Sequence, residues 1–336
     1  MSNTSSYRSA RRTRWVIGML GALVPVSMLL AVSAGSVPVD WAQVLETART
    51  GVPSLDYTVV VELRLPRAAS ALVVGACLAL AGVLMQVLLR NPLADPYVLG
   101  TSGGAAAMAL MAILIGLPYQ SVSIAASIGA MGSMMLVFVL ARGQGDWSST
   151  RLLLTGIVLA SGWGALISFL LSISQSTQVF SMLFWLMGDF RGDGPGAARW
   201  LLLAGSLTFS LIMSRGLNLL AAGELKAESL GVHTLSLRLG IFLTAGLLTA
   251  AAVTLAGAIG FVGLVVPHMM RMIVGTDHRR LVLASVLLGG TLLVFTEMLA
   301  RTVLAPRQLP VGVITAFVGV PLFLYLLRRG SRSTDS

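Results

Sequence analysis

Apolar stretches of about twenty residues recur along the whole of this sequence, and that recurrence leaves few folds open. A segment of that length crosses a hydrocarbon layer of roughly 30 Å as an α-helix, because a backbone without water must satisfy its own hydrogen bonds. The candidate spans are residues 15–34, 68–89, 98–117, 122–141, 152–173, 197–214, 236–258, 261–275, 281–302 and 310–327. They predict an all-α, polytopic membrane protein with about ten transmembrane helices, built as one membrane domain over residues 1–336. Only 11% of the residues are charged against 56% apolar, where a soluble domain carries about 25% charged residues. No long polar block remains for a second, water-soluble domain.

Because charges are few, their placement is informative. A net charge of +10 invites a nucleic-acid reading, but the basic residues form short clusters between apolar segments and not one continuous patch. Positive-inside topology explains them better. Arg8, Arg11, Arg12 and Arg14 precede the first span, and Arg328, Arg329 and Arg332 follow the last, so an even number of spans puts both termini in the cytoplasm. Val32-Ser33-Ala34 resembles a signal-peptide cleavage site, yet the apolar run before it is too long for a secretory signal and reads as a retained helix. Residues 35–57, with Asp40, Glu46 and Asp56, suit a non-cytoplasmic loop carrying a short interfacial helix. Cys77 lies in an apolar run and suits packing. His233, His268 and His278 have no metal-ligand spacing, so no metal site is expected. Ala245-Gly246, Ala250-Ala251-Ala252 and Ala256-Gly257 predict close helix approach.

Four stretches stand apart from this background. Gly260 through Arg271 combines an apolar run with Gly, Pro and His, then meets Asp277-His278-Arg279-Arg280, as a membrane helix arriving at a water interface would. Arg90-Asn91-Pro92-Leu93-Ala94-Asp95-Pro96 cannot continue a helix, so the chain is expected to turn at a membrane surface and restart through the Gly/Ser-rich 100–104. A plain turn accounts for the prolines; a water-facing constriction also accounts for Asn91 and Asp95. Gly223 to Val232 reads as a short cytoplasmic helix, with Glu224 and Glu228 one turn apart and Gly231 able to end it. It either lies solvated in a loop or presents its charge to a docking partner. Arg64, Arg67 and Arg301 fall at the outer ends of spans, where arginines snorkel as anchors or form a positive rim for a partner's carboxylates. Glu297 lies inside an apolar segment, where an ionisable group is costly and usually paired or functional.

The chain holds no Gly-rich loop ending in Gly-Lys-Ser/Thr, and its only lysine, Lys226, follows Leu225, so it supplies no Walker-type phosphate cradle. No nucleophile–base or metal constellation suggests an enzyme. An ion-coupled secondary transporter working alone is the alternative class, against which the shortage of intramembrane carboxylates argues.

Taken together these segments resemble the permease subunits of type II ABC importers, which carry iron–siderophore complexes, haem and vitamin B12. The resemblance rests on Leu63 to Arg67, Arg90 to Pro96, Gly223-Glu224 with Ser229-Leu230-Gly231, Gly260 to Arg271 with its Gly263, Pro267, His268 and Arg271, Asp277-His278-Arg279, and Leu309 to Gly312. These occur in the family's order over nearly the whole chain. The resemblance implies a cell inner (plasma) membrane protein that pairs with a second permease copy as a homodimer, surrounded by membrane lipid. It further implies two cytoplasmic ABC ATPases that hold ATP and magnesium, a periplasmic substrate-binding protein, and no cofactor in this chain. By that resemblance Gly223, Glu224, Leu225, Lys226, Glu228, Ser229, Leu230 and Gly231 would form the ATPase-coupling helix. Arg64, Arg67 and Arg301 would dock the binding protein, and Asn91, Leu93, Ser149 and Thr150 would lie at the cytoplasmic gate. A ferric siderophore is the first expectation for the cargo, with haem and vitamin B12 as alternatives. Two departures from the family pattern are Glu297, where Asp is frequent, and Gln308, where Glu is common.

Overall fold

The computed structural model describes residues 3–141, 149–190 and 194–331. Arg332 and the side chains of Arg8, Ser149 and Arg329 lie outside the described residues. The described elements are helices. In order they are α1 (Asn3–Ser33), α2 (Trp41–Thr50), α3 (Leu55–Tyr57), a π-helical stretch (Thr58–Arg64), α4 (Leu65–Leu88) and a 3-10 turn (Pro96–Leu99). Then come α5 (Thr101–Leu114), α6 (Tyr119–Ala141), α7 (Ser149–Ile173), α8 (Ser176–Met187), α9 (Gly196–Ile212), α10 (Ser214–Ala221) and α11 (Glu224–Ser229). Finally there are α12 (Thr234–Ala256), α13 (Val262–Val274), α14 (His278–Thr302) and α15 (Val311–Ser331).

Each of the ten apolar segments coincides with a helix, and α2 is the short helix expected in the 35–57 loop. By length and composition six spans can cross a membrane alone, and a seventh forms if α9 and α10, bent by 64° at their junction, are taken together. Helices α5, α13 and α15 are apolar but shorter, as is α8, which the sequence reading had left unassigned. Its 12 residues fall below the length that hydropathy alone recognises as a span.

Helix α4 is the axis of the bundle. Within its span 94% of the most apolar window is buried, as expected of a helix that is apolar on every face. Small residues make that enclosure possible. A Cβ at Gly75 would fall on the carbonyl oxygen of Gly289 in α14, and one at Gly82 on that of Gly263 in α13. Seven residues are about two helical turns, so both partners cross the same face of α4. Pro267 has no N–H to give the Gly263 carbonyl one turn earlier, and Gly82 lets the α4 backbone approach that freed oxygen. A second apolar cluster joins α5, α6, α7 and α8 through Ala105, Leu110, Ala126, Leu170, Met182 and Trp185. It is pinned by a relay in which Trp163 Nε1 donates to Ser133 Oγ at 2.8 Å and that hydroxyl donates to the Gly100 carbonyl at 2.8 Å.

The Arg90–Pro96 stretch turns at a surface, with Arg90 to Leu93 exposed, but its restart lies deeper than a plain turn would put it. Arg90 adopts a left-handed conformation (φ 48°) and the chain folds back into the bundle, so that Pro96 meets Gly263, at the level of Gly82. There the Tyr97 hydroxyl donates to the Ile259 carbonyl at 3.0 Å and accepts from its N–H at 3.1 Å. Gly82 lies about 10 Å along the helix from Leu89. Helix α5 therefore begins part-way through the bundle and needs only 14 residues to complete its course.

Candidate functional site

Two polar regions lie at opposite ends of α4. At the end carrying α11, Gly223 (φ 129°) starts that short helix and Gly231 (φ 80°) closes it. The Gly231 N–H donates to the Glu228 carbonyl at 2.9 Å and the Val232 N–H to that of Ala227 at 3.0 Å, the pattern of a glycine-terminated helix. The two glutamates expected to present charge are instead held by the chain itself. Glu224 forms an ion pair with the buried Arg238, and Glu228 accepts from the Thr234 hydroxyl at 2.7 Å. Local geometry explains the difference: Ala227 is the buried residue of α11, and Glu224 and Glu228 flank it toward α12. What α11 presents outward is Leu225, at 84% exposure, and Leu230, with Lys226, Glu228 and Ser229 exposed beside them. Between α11 and Arg90 lies a recess of about 790 Å³ lined by Glu224, Lys226, Glu228 and Arg238.

Next to α11 the motif residues Asp277, His278 and Arg279 are gathered onto α10. Asn218 Nδ2 donates to Asp277 Oδ1 at 3.0 Å. Its Oδ1 accepts from the His278 N–H at 2.9 Å and faces His278 Nδ1 at 2.6 Å, which places the ring proton on that nitrogen. Arg279 Nε donates to the Ser214 hydroxyl at 3.3 Å. Asp277 also caps α14 through the Arg279 N–H at 3.2 Å. Burial opposes ionisation of this carboxyl, but the Asn218 amide, the Arg279 N–H and the guanidiniums of Arg280 and Arg279 outweigh it and hold the pKa below the usual carboxylate value. One turn and a half back on α13, Arg271 donates to Gln86 Oε1 at 2.9 Å, and Gln86 Nε2 donates to the Leu264 carbonyl at 3.4 Å. His268 Nδ1, Arg271 Nε and His278 Nε2 are buried around this contact without partners.

The residues read as a gate are brought to the same end. Asn91 and Leu93 are exposed, with the Leu93 N–H donating to Asn91 Oδ1 at 2.9 Å, and Thr150 is exposed in the first turn of α7. The Asn91 N–H donates to the Gln86 carbonyl at 3.2 Å, tying this loop to the end of α4.

At the other end the three arginines converge, but as internal ties and not as a free rim. Arg64 is 5% exposed and donates to the carbonyls of Val32, Ser33 and Val37 at 3.0, 2.9 and 2.5 Å. Arg301, 7% exposed, donates to those of Ala31 and Ala34 at 2.8 and 3.4 Å. Helix α1 ends here with no basic residue in its last turn, and a helix end leaves four carbonyls unsatisfied. The two guanidiniums fill that role. Arg67 pairs with Glu297 at 2.9 Å and with Asp189 at 3.4 Å, and donates to Gln308 Oε1 at 3.1 Å. Glu297, fully buried, also pairs with Arg301 at 2.7 Å. The two departures from the family pattern, Glu297 and Gln308, thus meet on one arginine. A cavity of about 270 Å³ opens beside Gly35, Leu63, Arg64, Arg67, Arg301 and Gln308.

Sequence reasoning missed Asn218, Ser214, Gln86 and Asp189. A lone amide within Leu217-Asn218-Leu219-Leu220 was the one signal that could have drawn attention to the first.

Against known proteins, a model of the FecCD transport family matches residues 23–329. The chain is 40% identical to the Fe(3+) dicitrate transport system permease protein FecD of Escherichia coli K12, an overlap covering 90% of this chain and 94% of that one. It is 37% identical to the hemin transport system permease protein HmuU of Yersinia pestis, covering 93% and 95%. An inward-facing structure of a metal-chelate type ABC transporter superposes with a TM-score of 0.80 at 31% identity, covering 94% of this chain and 99% of that one. With its apolar helices and with motifs that run from α4 to α15, the chain is a multi-pass membrane protein that belongs to the FecCD transport family.

Proposed function

We propose that this chain is the permease subunit of a binding-protein-dependent ABC importer that carries a ferric siderophore across the inner membrane, with both termini in the cytoplasm. The observation that carries the reading is α11: six residues fixed to α12 through Arg238 and Thr234, with Leu225 left exposed among the described residues. Such an exposed leucine suits the groove of a cytoplasmic ATPase. Two ATPases, each holding ATP and magnesium, would act on a homodimer of this chain, and a substrate-binding protein would deliver cargo to the arginine end. The name of FecD favours a ferric chelate, while that of HmuU keeps haem as the second reading.

Transport then follows from linkage. ATP and the loaded binding protein each shift the equilibrium between outward-open and inward-open states by their differential affinity for the two. No covalent step falls to this subunit. Docking of the binding protein, first read for Arg64, Arg67 and Arg301, we assign to the exposed Arg49 and Arg307 at the same end, with the buried arginines holding that surface in shape.

The test is ATP-dependent uptake into proteoliposomes holding this chain, its ATPase and the binding protein, with radiolabelled ferric dicitrate, haem and cobalamin offered in turn. Uptake of the ferric chelate is expected; uptake of haem or cobalamin alone would replace the cargo, and uptake driven by an ion gradient without the ATPase would reject the class. Arg49→Glu with Arg307→Glu should weaken binding-protein association, and the loss should depend on salt because exposed charges are screened over about 8 Å at physiological ionic strength.

A further inference from the structure

The α10–α11 arm has two attachments of different kinds. Leu217 and Leu220 bury in the main apolar cluster, which holds α10 against the bundle but, being non-directional, fixes no register. Asn218 supplies the register. Its amide makes three directed contacts within 3.0 Å, all with Asp277 and His278 at the start of α14. On one side of this knot the chain runs from Ala221 to Glu224 through Ala222 and Gly223 only. On the other, the α13–α14 turn leads back to Arg271, whose guanidinium reaches Gln86, and the Gln86 carbonyl holds the N–H of Asn91. An unbroken chain of directed contacts therefore runs from the arm that carries Leu225 to the loop that carries Leu93. The Arg271–Gln86 contact within it is a single hydrogen bond between groups with orphan polar atoms around it. A link of that kind can change partners without disturbing the knot.

We propose that Asn218 is the positioning residue of energy coupling: it makes α10, α11 and the α13–α14 turn move as one body, so that displacement of α11 reaches Gln86 and the Asn91–Leu93 loop through Arg271. The inference rests on the proposed coupling role of α11 and adds the route by which it acts.

The donor arrangement offers a swap that separates register from folding. Asn218→Asp keeps both acceptor contacts to His278 but sets two carboxylates against each other across the Asp277 contact. Adding Asp277→Asn restores a donor, now from position 277; because one oxygen of Asp277 serves both Asn218 and the Arg279 N–H, the amide oxygen must turn to keep the cap, which helical content by circular dichroism checks. The reporter is Leu93→Cys, labelled by a membrane-impermeant maleimide; the native Cys77, 1% exposed, stays silent. In the complex with its ATPase, labelling is compared with and without ATP and vanadate, and normalised to the nucleotide trapped. The expected result is a nucleotide-driven change that falls about fivefold or more in Asn218→Asp, the lower end of ordinary coupling energies, and returns in the double variant. A change that persists in Asn218→Asp, or that the second substitution fails to restore, overturns the role of Asn218. Absence of any nucleotide effect in the parent overturns the coupling role of α11, and this inference with it.

Discussion

Arg301 sends one guanidinium to two kinds of acceptor, the Glu297 carboxylate and the carbonyls that end α1. Breaking such a buried set costs more than the set contributes, because the partners left behind keep their desolvation penalty. Glu297→Ala, which strands Arg67 and Arg301, should destabilise the detergent-solubilised protein by about 3–5 kcal/mol, read by thermal unfolding, and Glu297→Gln by less. At the opposite end Asp277 titrates below the ordinary carboxylate value. Its contribution is present above the unfolded value of about 4 and lost as pH falls through the lower folded one. The stability gap between the native protein and Asp277→Asn should therefore close on acidification below about pH 4, a trend that unfolding midpoints along a pH series would show or deny. The sequence marked Arg64, Arg67, Arg301 and Glu297 as unusual, yet aimed the arginines outward. Many of their acceptors are backbone carbonyls, which no letter of a sequence distinguishes, and the partners of Arg67 lie more than a hundred residues away; only the Arg301–Glu297 pair, four residues apart, is local.

At the scale of elements, apolar length located the long helices, and the small residues of α12 marked one close contact, Gly246 against Met134 of α6; the α4 crossings at Gly75 and Gly82 were not read from the sequence. Gly82→Ala places a methyl on the Gly263 carbonyl and should cost about 1–3 kcal/mol of stability through overpacking at the α4–α13 crossing. Gly18→Ala, at a position with open space around it, serves as the control in the same melting experiment. What length could not reveal were the pieces that do not span: α8, and the return of Pro96 into the bundle that shortens α5. Both depend on tertiary partners such as Gly263 and Ile259 and leave little trace in hydropathy. Helix α11, the proposed coupling helix, was marked by its flanking glycines; that Arg238 and Thr234 would hold its two glutamates was not legible. Leu225→Asp should abolish ATPase association while the chain stays inserted and folded. Glu224→Lys should instead loosen α11 by opposing Arg238, seen as faster proteolysis near residue 225. Equal effects of the two in a pull-down with the ATPase would contradict this division of labour.

At the scale of the molecule, the contacts that complete the arginine end join the two extremes of the chain. The carbonyls of Ala31 and Ala34 wait for Arg301, which follows them by some 270 residues. Helix α1 precedes α14 in synthesis, and until α14 arrives its last turn has only Arg64 to cover it. A nascent chain stalled before α14 therefore leaves the Ala31 and Ala34 carbonyls to interfacial water, and α1 without the tie that Arg301 supplies. Chains interrupted after α13 should be cleared by membrane proteases far sooner than complete ones. The tie is thus made late, by a residue of α14 on a helix some 270 residues before it.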